Sequence, residues 1–240
     1  MNTKKIKIGD IEINIIRKNI KNLHLGVYPP NGRVRIAAPS KTSDESIRLF
    51  AISKINWIKR QKVKFDRQER ESDREYVSGE SHYFFGKRYL LNIVQIDPKP
   101  KVEIKKKTHI DLYIKPNTSQ ERKKKLVEDW YREEIKKQLP SLVKKWEKIV
   151  GMKVKDIMIR KMKTKWGSCN QKDKRIILNL ELAKKPLNCL EYILVHEMVH
   201  FIEKNHTEKF KALMDSFMPK WESHKKELNK YPLSFAHWNY

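Results

Sequence analysis

The chain has 240 residues, room for one large domain or two small ones, and 39% of them are hydrophobic, enough for a core. Lys and Arg total 54 against 29 Asp and Glu, a formal net charge of +25; seven Gly and ten Pro exclude a collagen-like or low-complexity chain. Two cysteines, Cys169 and Cys189, exclude a disulfide framework and suit a reducing compartment, and no apolar run approaches the roughly 18 residues of a membrane span.

Met1 to Ile8 alternates Lys with Ile and lacks the apolar stretch of a signal peptide, so the chain reads as a soluble, cytoplasmic protein. Ile11, Ile13 and Ile15, then Leu23, Leu25 and Val27, then Val34 and Ile36 have the period of short strands, with a turn at Pro29 to Gly32. Thr42 and Glu45 form a capping-box pattern, and Ile47, Phe50, Ala51, Ile55 and Ile58 give the following helix an apolar stripe. Residues 66–75 contain no apolar side chain and read as a linker or a solvated helix extension. Strands are expected over 83–96, with Gly86 at a hairpin turn, and over 102–114 after a turn at 97–100.

Thr118 and Glu121 repeat the capping pattern ahead of a long amphipathic helix, which carries Leu126, Val127, Trp130, Tyr131, Ile135 and Leu139 on one face. Pro140 is expected to kink or restart it, and Gly151 to cap it. Ile157 and Ile159 mark a strand, and Ile176, Leu178, Leu180 and Leu182 another. A helix is expected from Pro186 to Lys204, then one capped by Thr207 and interrupted at Pro219, and the aromatic-rich tail 231–240 is expected to pack on the body. No internal repeat is visible.

Within the 186–204 helix, His196-Glu197-Met198-Val199-His200 is an H-E-x-x-H motif. Residues four apart on a helix differ by about 40° in direction, so His196 and His200 project together and can share one Zn²⁺. Glu197 is placed beside that metal, where it can accept a proton from an attacking water. A third ligand is needed. On an unbroken helix His206 would lie about 240° round from His200 and about 9 Å along, so the helix must stop and the chain turn back. Asn205, which tolerates the left-handed conformation, permits that turn. Glu222, Glu227 and His224 are the alternative third ligands. Metzincins share the His spacing but place Gly where this chain has Glu203, so the turn is built differently here.

Trp166, Gly167 and Ser168 mark a tight turn with an aromatic anchor, or else the border of a cleft that offers a strand edge to an extended peptide. Tyr192, Tyr231 and Tyr240 are candidate donors to a developing oxyanion. Cys169 and Cys189 lack metal-site spacing and read as small buried residues; His82, His224 and His237 read as surface or packing residues. Lys144 to Arg175 carries twelve basic residues against three acids. That patch fits a polyanion partner, although no zinc-finger, RRM or KH signature accompanies it.

The run Lys165-Trp166-Gly167-Ser168-Cys169, the strand Ile176 to Leu182, His196-Glu197-x-x-His200 and Asn205-His206-x-x-x-Phe210 together resemble the YgjP-like metallopeptidase family, related to the SprT-like and WLM zinc proteases. Gly32-Arg33-Val34-Arg35-Ile36-x-Ala38-Pro39, Trp57-Ile58 and Gly86-Lys87-x-Tyr89 extend the resemblance over most of the chain. It implies a zincin-type catalytic domain in a bacterial-type cytoplasmic protein, with ligands His196, His200 and His206 and general base Glu197. The expected architecture is α+β: an N-terminal strand-and-helix module over 1–117, then a compact zinc-dependent catalytic domain over 118–240 built on the H-E-x-x-H helix. The expected function is peptide-bond hydrolysis with one Zn²⁺ per chain and a protein or peptide substrate, no membrane partner, and nucleic acid as a further candidate partner. A non-peptide hydrolase on the same zinc centre, and a basic nucleic-acid-binding module with a vestigial metal site, are the rival functions.

Overall fold

The computed structural model describes residues 3–28, 32–66, 74–95, 99–162 and 165–230. The expected turn at Pro29 and Pro30, most of the 66–75 stretch, Asp97 and the aromatic tail lie outside them. The chain forms two compact units that divide between Glu71 and Ser72.

In the first unit the isoleucine alternation forms four strands, β1 (Thr3–Ile8), β2 (Ile11–Lys18), β3 (His24–Tyr28) and β4 (Arg33–Pro39), in the order β1-β2-β4-β3. β2 and β4 pair in parallel with Ile13 opposite Val34 and Ile15 opposite Ile36. One face of the sheet thus buries Ile11, Ile13, Ile15, Val34, Ile36 and Ala38 against Ile47, Ala51 and Ile58. The stripe expected on one helix is carried by two, α1 (Asp44–Ser53) and α2 (Ile55–Asp66), separated at Lys54. The N-cap of α1 is Ser43, one residue past Thr42; its side chain accepts from the Ser46 amide.

The second unit, Ser72–Tyr231, holds β5 (Ser81–Phe84), β6 (Lys87–Gln95), β7 (Lys101–Lys105) and β8 (His109–Ile114), in the order β5-β6-β8-β7. That order, with an outer antiparallel pair on each side of a parallel centre, repeats the first sheet strand for strand. The repeat is one of topology and has no counterpart in the sequence pattern. The boundary expected at 117/118 falls inside this unit. Phe84, Leu91, Ile110 and Leu112 of the sheet share one core with Val127, Tyr131 and Ile135 of the long helix, so separating them would expose both faces.

That helix, α3 (Gln120–Val150), runs unbroken through Pro140. Pro140 is solvent-exposed, so the Lys136 carbonyl that loses its amide partner faces water rather than the core. Ser119, not Thr118, caps the helix, because the Thr118 hydroxyl is given to the Lys115 carbonyl at 2.7 Å. Gly151 ends it in the left-handed conformation at φ 72°. A third sheet follows, β9 (Asp156–Arg160), β10 (Gly167–Asn170) and β11 (Arg175–Asn179), in the order β10-β11-β9. β10 therefore lies at an edge. The alternation expected to continue through Leu182 ends at Asn179, whose side chain caps a short 3₁₀ helix, Leu180–Lys184. The helices α4 (Leu187–Val199), α5 (Glu208–Phe217, capped by Thr207) and α6 (Trp221–Lys230) complete the unit.

His82, read from sequence as a surface or packing residue, is a packing residue: it is 4% exposed beside the Tyr76 ring. Burial, then the charges of Arg74 and Lys184, push its pKa down from 6.5 to about 3. Glu80 Oε1, at 3.7 Å, lies beyond hydrogen-bond distance of the His82 Nε2. Below pH 6.5 the unfolded chain binds a proton that the folded chain refuses until about pH 3. Stability is therefore lost as pH falls through this window and is unaffected above it. The full loss is on the order of 4 kcal/mol. Denaturant titrations from pH 8 to pH 4 should show a shallower acid decline for His82→Gln than for the native chain; parallel curves would remove His82 from the acid response.

Candidate metal centre and cleft

α4 is buried along its approach: Cys189, Leu190, Leu194, Val195, Met198 and Val199 are all fully enclosed. That apolar sheath leaves one polar face, which carries His196, Glu197 and, at the C-cap, His200. The helix ends at Val199, five residues earlier than expected, through tighter bonds from Phe201 N to Met198 O and Ile202 N to Val199 O, both 2.9 Å. The return of the chain uses no left-handed residue, at Asn205 or elsewhere between 200 and 207. Instead Glu203 builds the turn: its carbonyl lies 3.0 Å from His200 Nδ1 and its carboxylate accepts from the Asn205 amide.

This turn brings His206 back to the pair. Nε2 of His206 lies 3.0 Å from Nε2 of His196, and one imidazole nitrogen from each of His196, His200 and His206 falls within 4.8 Å of the others. The three ring centroids are 4.8 to 4.9 Å apart. Beneath them Phe210, 2% exposed, lies 4.7 to 5.0 Å from all three rings and forms an apolar floor. Phe210 ends the Asn205-His206-x-x-x-Phe210 run that carries part of the resemblance, but nothing in its spacing marks it as the base of the site.

The donor set fits a zinc ion. Two nitrogens bound at 2.0–2.1 Å in a tetrahedral site are separated by about 3.3 Å, close to the His196–His206 spacing. A carbonyl can only accept, so His200 gives its Nδ1–H to Glu203 and keeps Nε2 as a free lone pair. Burial, then the neighbouring His200 and His206, pushes His196 down to about 3; burial and His200 also lower His206. Both imidazoles are thereby kept neutral, as ligands must be. His196 Nδ1 is enclosed with no hydrogen-bond partner among the described residues, so the position of this ring is not set by hydrogen bonding at that atom.

None of the alternative ligands joins the histidine group among the described residues. His224 and Glu227 both contact Asn188 Nδ2, tying α6 to α4, and Glu222 is solvent-exposed. Neither cysteine joins the histidine group among the described residues. Cys189 is fully buried with its thiol pushed up to about 12, and Cys169 is half-buried and pushed up to about 11, each chiefly by burial.

Beside the histidines opens a cleft of about 830 Å³. The candidate segment Trp166, Gly167 and Ser168 lines one wall, with Trp166 leading into the edge strand β10 and Gly167 and Ser168 starting it. Glu197 lines it too, although only 5% exposed, and burial pushes its carboxyl up to about 7 against the pull of Lys165. A carboxyl with that pKa can take up and release a proton near neutral pH. Gly167 is required where it stands. A Cβ there would lie 2.6 Å from Glu197 Oε1 and 2.9 Å from Ile193 Cγ2.

Asn179, not singled out from sequence, holds the loop leading into β10. Its Nδ2 donates to the carbonyls of Met162 and Lys165, both at 2.8 Å, and its backbone N–H donates to the Trp166 carbonyl. The only sequence signal was an Asn closing an apolar alternation. Gln171 ties the turn after β10 to the His200 carbonyl. Of the three tyrosines considered, Tyr192 lines the cleft; Tyr231 and Tyr240 lie outside the described residues, as does His237.

Residues 21–231 match the family described as YgjP-like, metallopeptidase domain. No curated protein sequence matches the chain significantly. Among solved structures, the metallopeptidase zymogen abylysin of Pyrococcus abyssi is similar at 19% identity and a TM-score of 0.35, over 37% of this chain and 90% of its own.

Proposed function

The chain belongs to the YgjP-like metallopeptidase family, and from that premise we propose that it is a zinc-dependent peptidase of zincin type, with His196, His200 and His206 as metal ligands and Glu197 as general base. The observation that carries this is the convergence of three imidazoles on one point, 3.0 Å apart at closest, beside a buried carboxyl with a pKa of about 7. Bound there, zinc would polarise a carbonyl and lower the pKa of a water toward 7. The chain's own residues do the rest. His200 is oriented by the Glu203 carbonyl, and Phe210 keeps the underside of the imidazoles dry. Glu197 accepts a proton at its carboxylate from the attacking water and delivers it to the leaving amine. Gly167 and Ser168, on an edge strand, with Trp166 just before it, pair with an extended substrate backbone by strand addition. Among the described residues no helix is long and apolar enough to cross a membrane. With both cysteines unpaired, the protein is assigned to a reducing, cytoplasmic compartment.

Elemental mass spectrometry tests the centre. The native chain should carry about one zinc, lost or sharply weakened in His206→Ala, and chelation should lower the native Tm because metal binds only the folded site. Undiminished zinc in His206→Ala would contradict the three-histidine site.

A further inference from the structure

Trp221, Lys225, Leu228 and Asn229 follow one face of α6 at helical spacing. Trp221 and Leu228 are buried and fix that face; Lys225 and Asn229, both exposed, line the cleft. The Lys225 ammonium sits 5.4 Å over the Trp221 ring and has no carboxylate within 4.0 Å among the described residues. Tyr192 joins them from α4. Its ring is stacked on Trp221 at 6.4 Å and set edge-on to His196 at 5.9 Å, which fixes its position. The residue is only 4% exposed, lines the cleft, and its hydroxyl has no hydrogen-bond partner among the described residues while remaining open to solvent. That hydroxyl is free to pair with whatever occupies the cleft.

The Lys225 ammonium can only donate, and the Tyr192 O–H and Asn229 N–H₂ can donate beside it, so the three suit an anion with two acceptor atoms. Lys165, Lys172 and Lys204 add positive charge around the cleft, and among the described residues the only carboxylate lining it is the buried Glu197. The main chain of β10 offers an edge to an extended peptide. The aromatic rings lining the cleft are already engaged, Tyr192 by Trp221 and Trp166 by the Lys185 ammonium at 5.7 Å, which disfavours base stacking. We propose that Lys225, Tyr192 and Asn229 form a carboxylate-recognition subsite, so that the enzyme prefers peptides carrying Asp or Glu beside the bond it cuts. This rests on the peptidase function proposed above.

Two readouts test it. In the first, zinc-loaded protein digests a pool of denatured proteins and the cut sites are mapped by mass spectrometry. Asp and Glu should be enriched about fivefold at one position flanking the cut, as expected for a partly exposed ion pair. The enrichment should vanish in Lys225→Ala and turn toward Lys and Arg in Lys225→Glu. Identical site profiles for the native chain and Lys225→Glu would overturn the proposal. The second needs no turnover: fluorescence anisotropy of a short alanine peptide bearing one Glu, against its Gln counterpart, on Glu197→Gln protein. The acidic peptide should bind about fivefold tighter, and Lys225→Ala or Tyr192→Phe should reduce the difference. Tyr192→Phe keeps the ring and removes only the hydroxyl. Acid-selective binding without any cleavage would refute the peptidase function and leave the subsite standing. Cleavage without acid preference would refute the subsite alone. A single-stranded oligonucleotide that displaces the acidic peptide, and itself depends on Lys225, would assign the wall to nucleic acid and overturn the proposal.

Discussion

Replacing Glu197 with Gln should leave the zinc content at the native value and lower peptide hydrolysis by about 10²- to 10⁴-fold, the usual range for removal of a general base. The separation of the two effects is the informative part. Glu197 is next to His196 in sequence, yet its carboxylate is not one of the three converging donors, so metal retention does not depend on it. Gln has nearly the same volume and can fill the same enclosed space against Gly167 and Ile193. What it lacks is an oxygen that can hold a proton near neutral pH, the property that burial confers on the native carboxyl. Parallel measurement of zinc by elemental mass spectrometry and of labelled-casein hydrolysis distinguishes the cases. Hydrolysis at the native rate by Glu197→Gln would move the base elsewhere. Loss of both zinc and activity would mean that the carboxylate supports the histidines instead.

The pair His196 and His200 was legible because helical periodicity alone makes residues four apart coincide. His206 was legible as a requirement, since three donors are needed and the chain had to turn. How it turns was not. A left-handed Asn205 was the expected device, whereas the structure uses the Glu203 carbonyl and carboxylate with ordinary backbone angles. Local propensity names residues that permit a turn, and hydrogen bonding decides which of them builds it. The caps show the same limit. Thr207 caps α5 as read, but the other two helices read as opening at a Thr are capped by the Ser that follows, and at Thr118 a bond to the Lys115 carbonyl explains the shift. Pro140 is an opposite case, since its exposure removes the penalty on which the expected break relied. The division between Glu71 and Ser72 falls inside the 66–75 stretch read as a linker, but β5–β8 were grouped with the N-terminal module, because strand patterns carry no label for the helix they will pack against. Only the shared core of β5–β8 with α3 assigns that sheet to the site-bearing unit. The repeated strand order of the two sheets is invisible for a related reason: topology depends on pairing, and the paired residues differ between the sheets.

Gly167→Ala should reduce hydrolysis by about 10²-fold while leaving zinc bound. No left-handed backbone is involved, and the effect is one of space. The added methyl would stand 2.6 Å from Glu197 Oε1, 2.8 Å from Glu197 Cγ and 2.9 Å from Ile193 Cγ2, all closer than carbon contacts permit. The strand cannot easily retreat, because Gly167 is in register with Leu178 of β11 and the Trp166 carbonyl accepts from Asn179 N at 2.9 Å. α4 cannot retreat either, being enclosed on its other faces. The end of the Glu197 side chain is therefore the part that moves, and a displacement of about 1 Å in a catalytic group costs about 10²-fold in rate. Residual crowding against Ile193 should cost about 1–3 kcal/mol of stability. The two consequences come apart in a second variant. Trimming Ile193 to Ala removes the Cγ2 methyl that the new Cβ meets, so this second change should cost less thermal stability in the Gly167→Ala chain than in the native chain, and activity should not recover. If activity does recover, the strand acts through packing of α4 and not through the position of the Glu197 carboxylate.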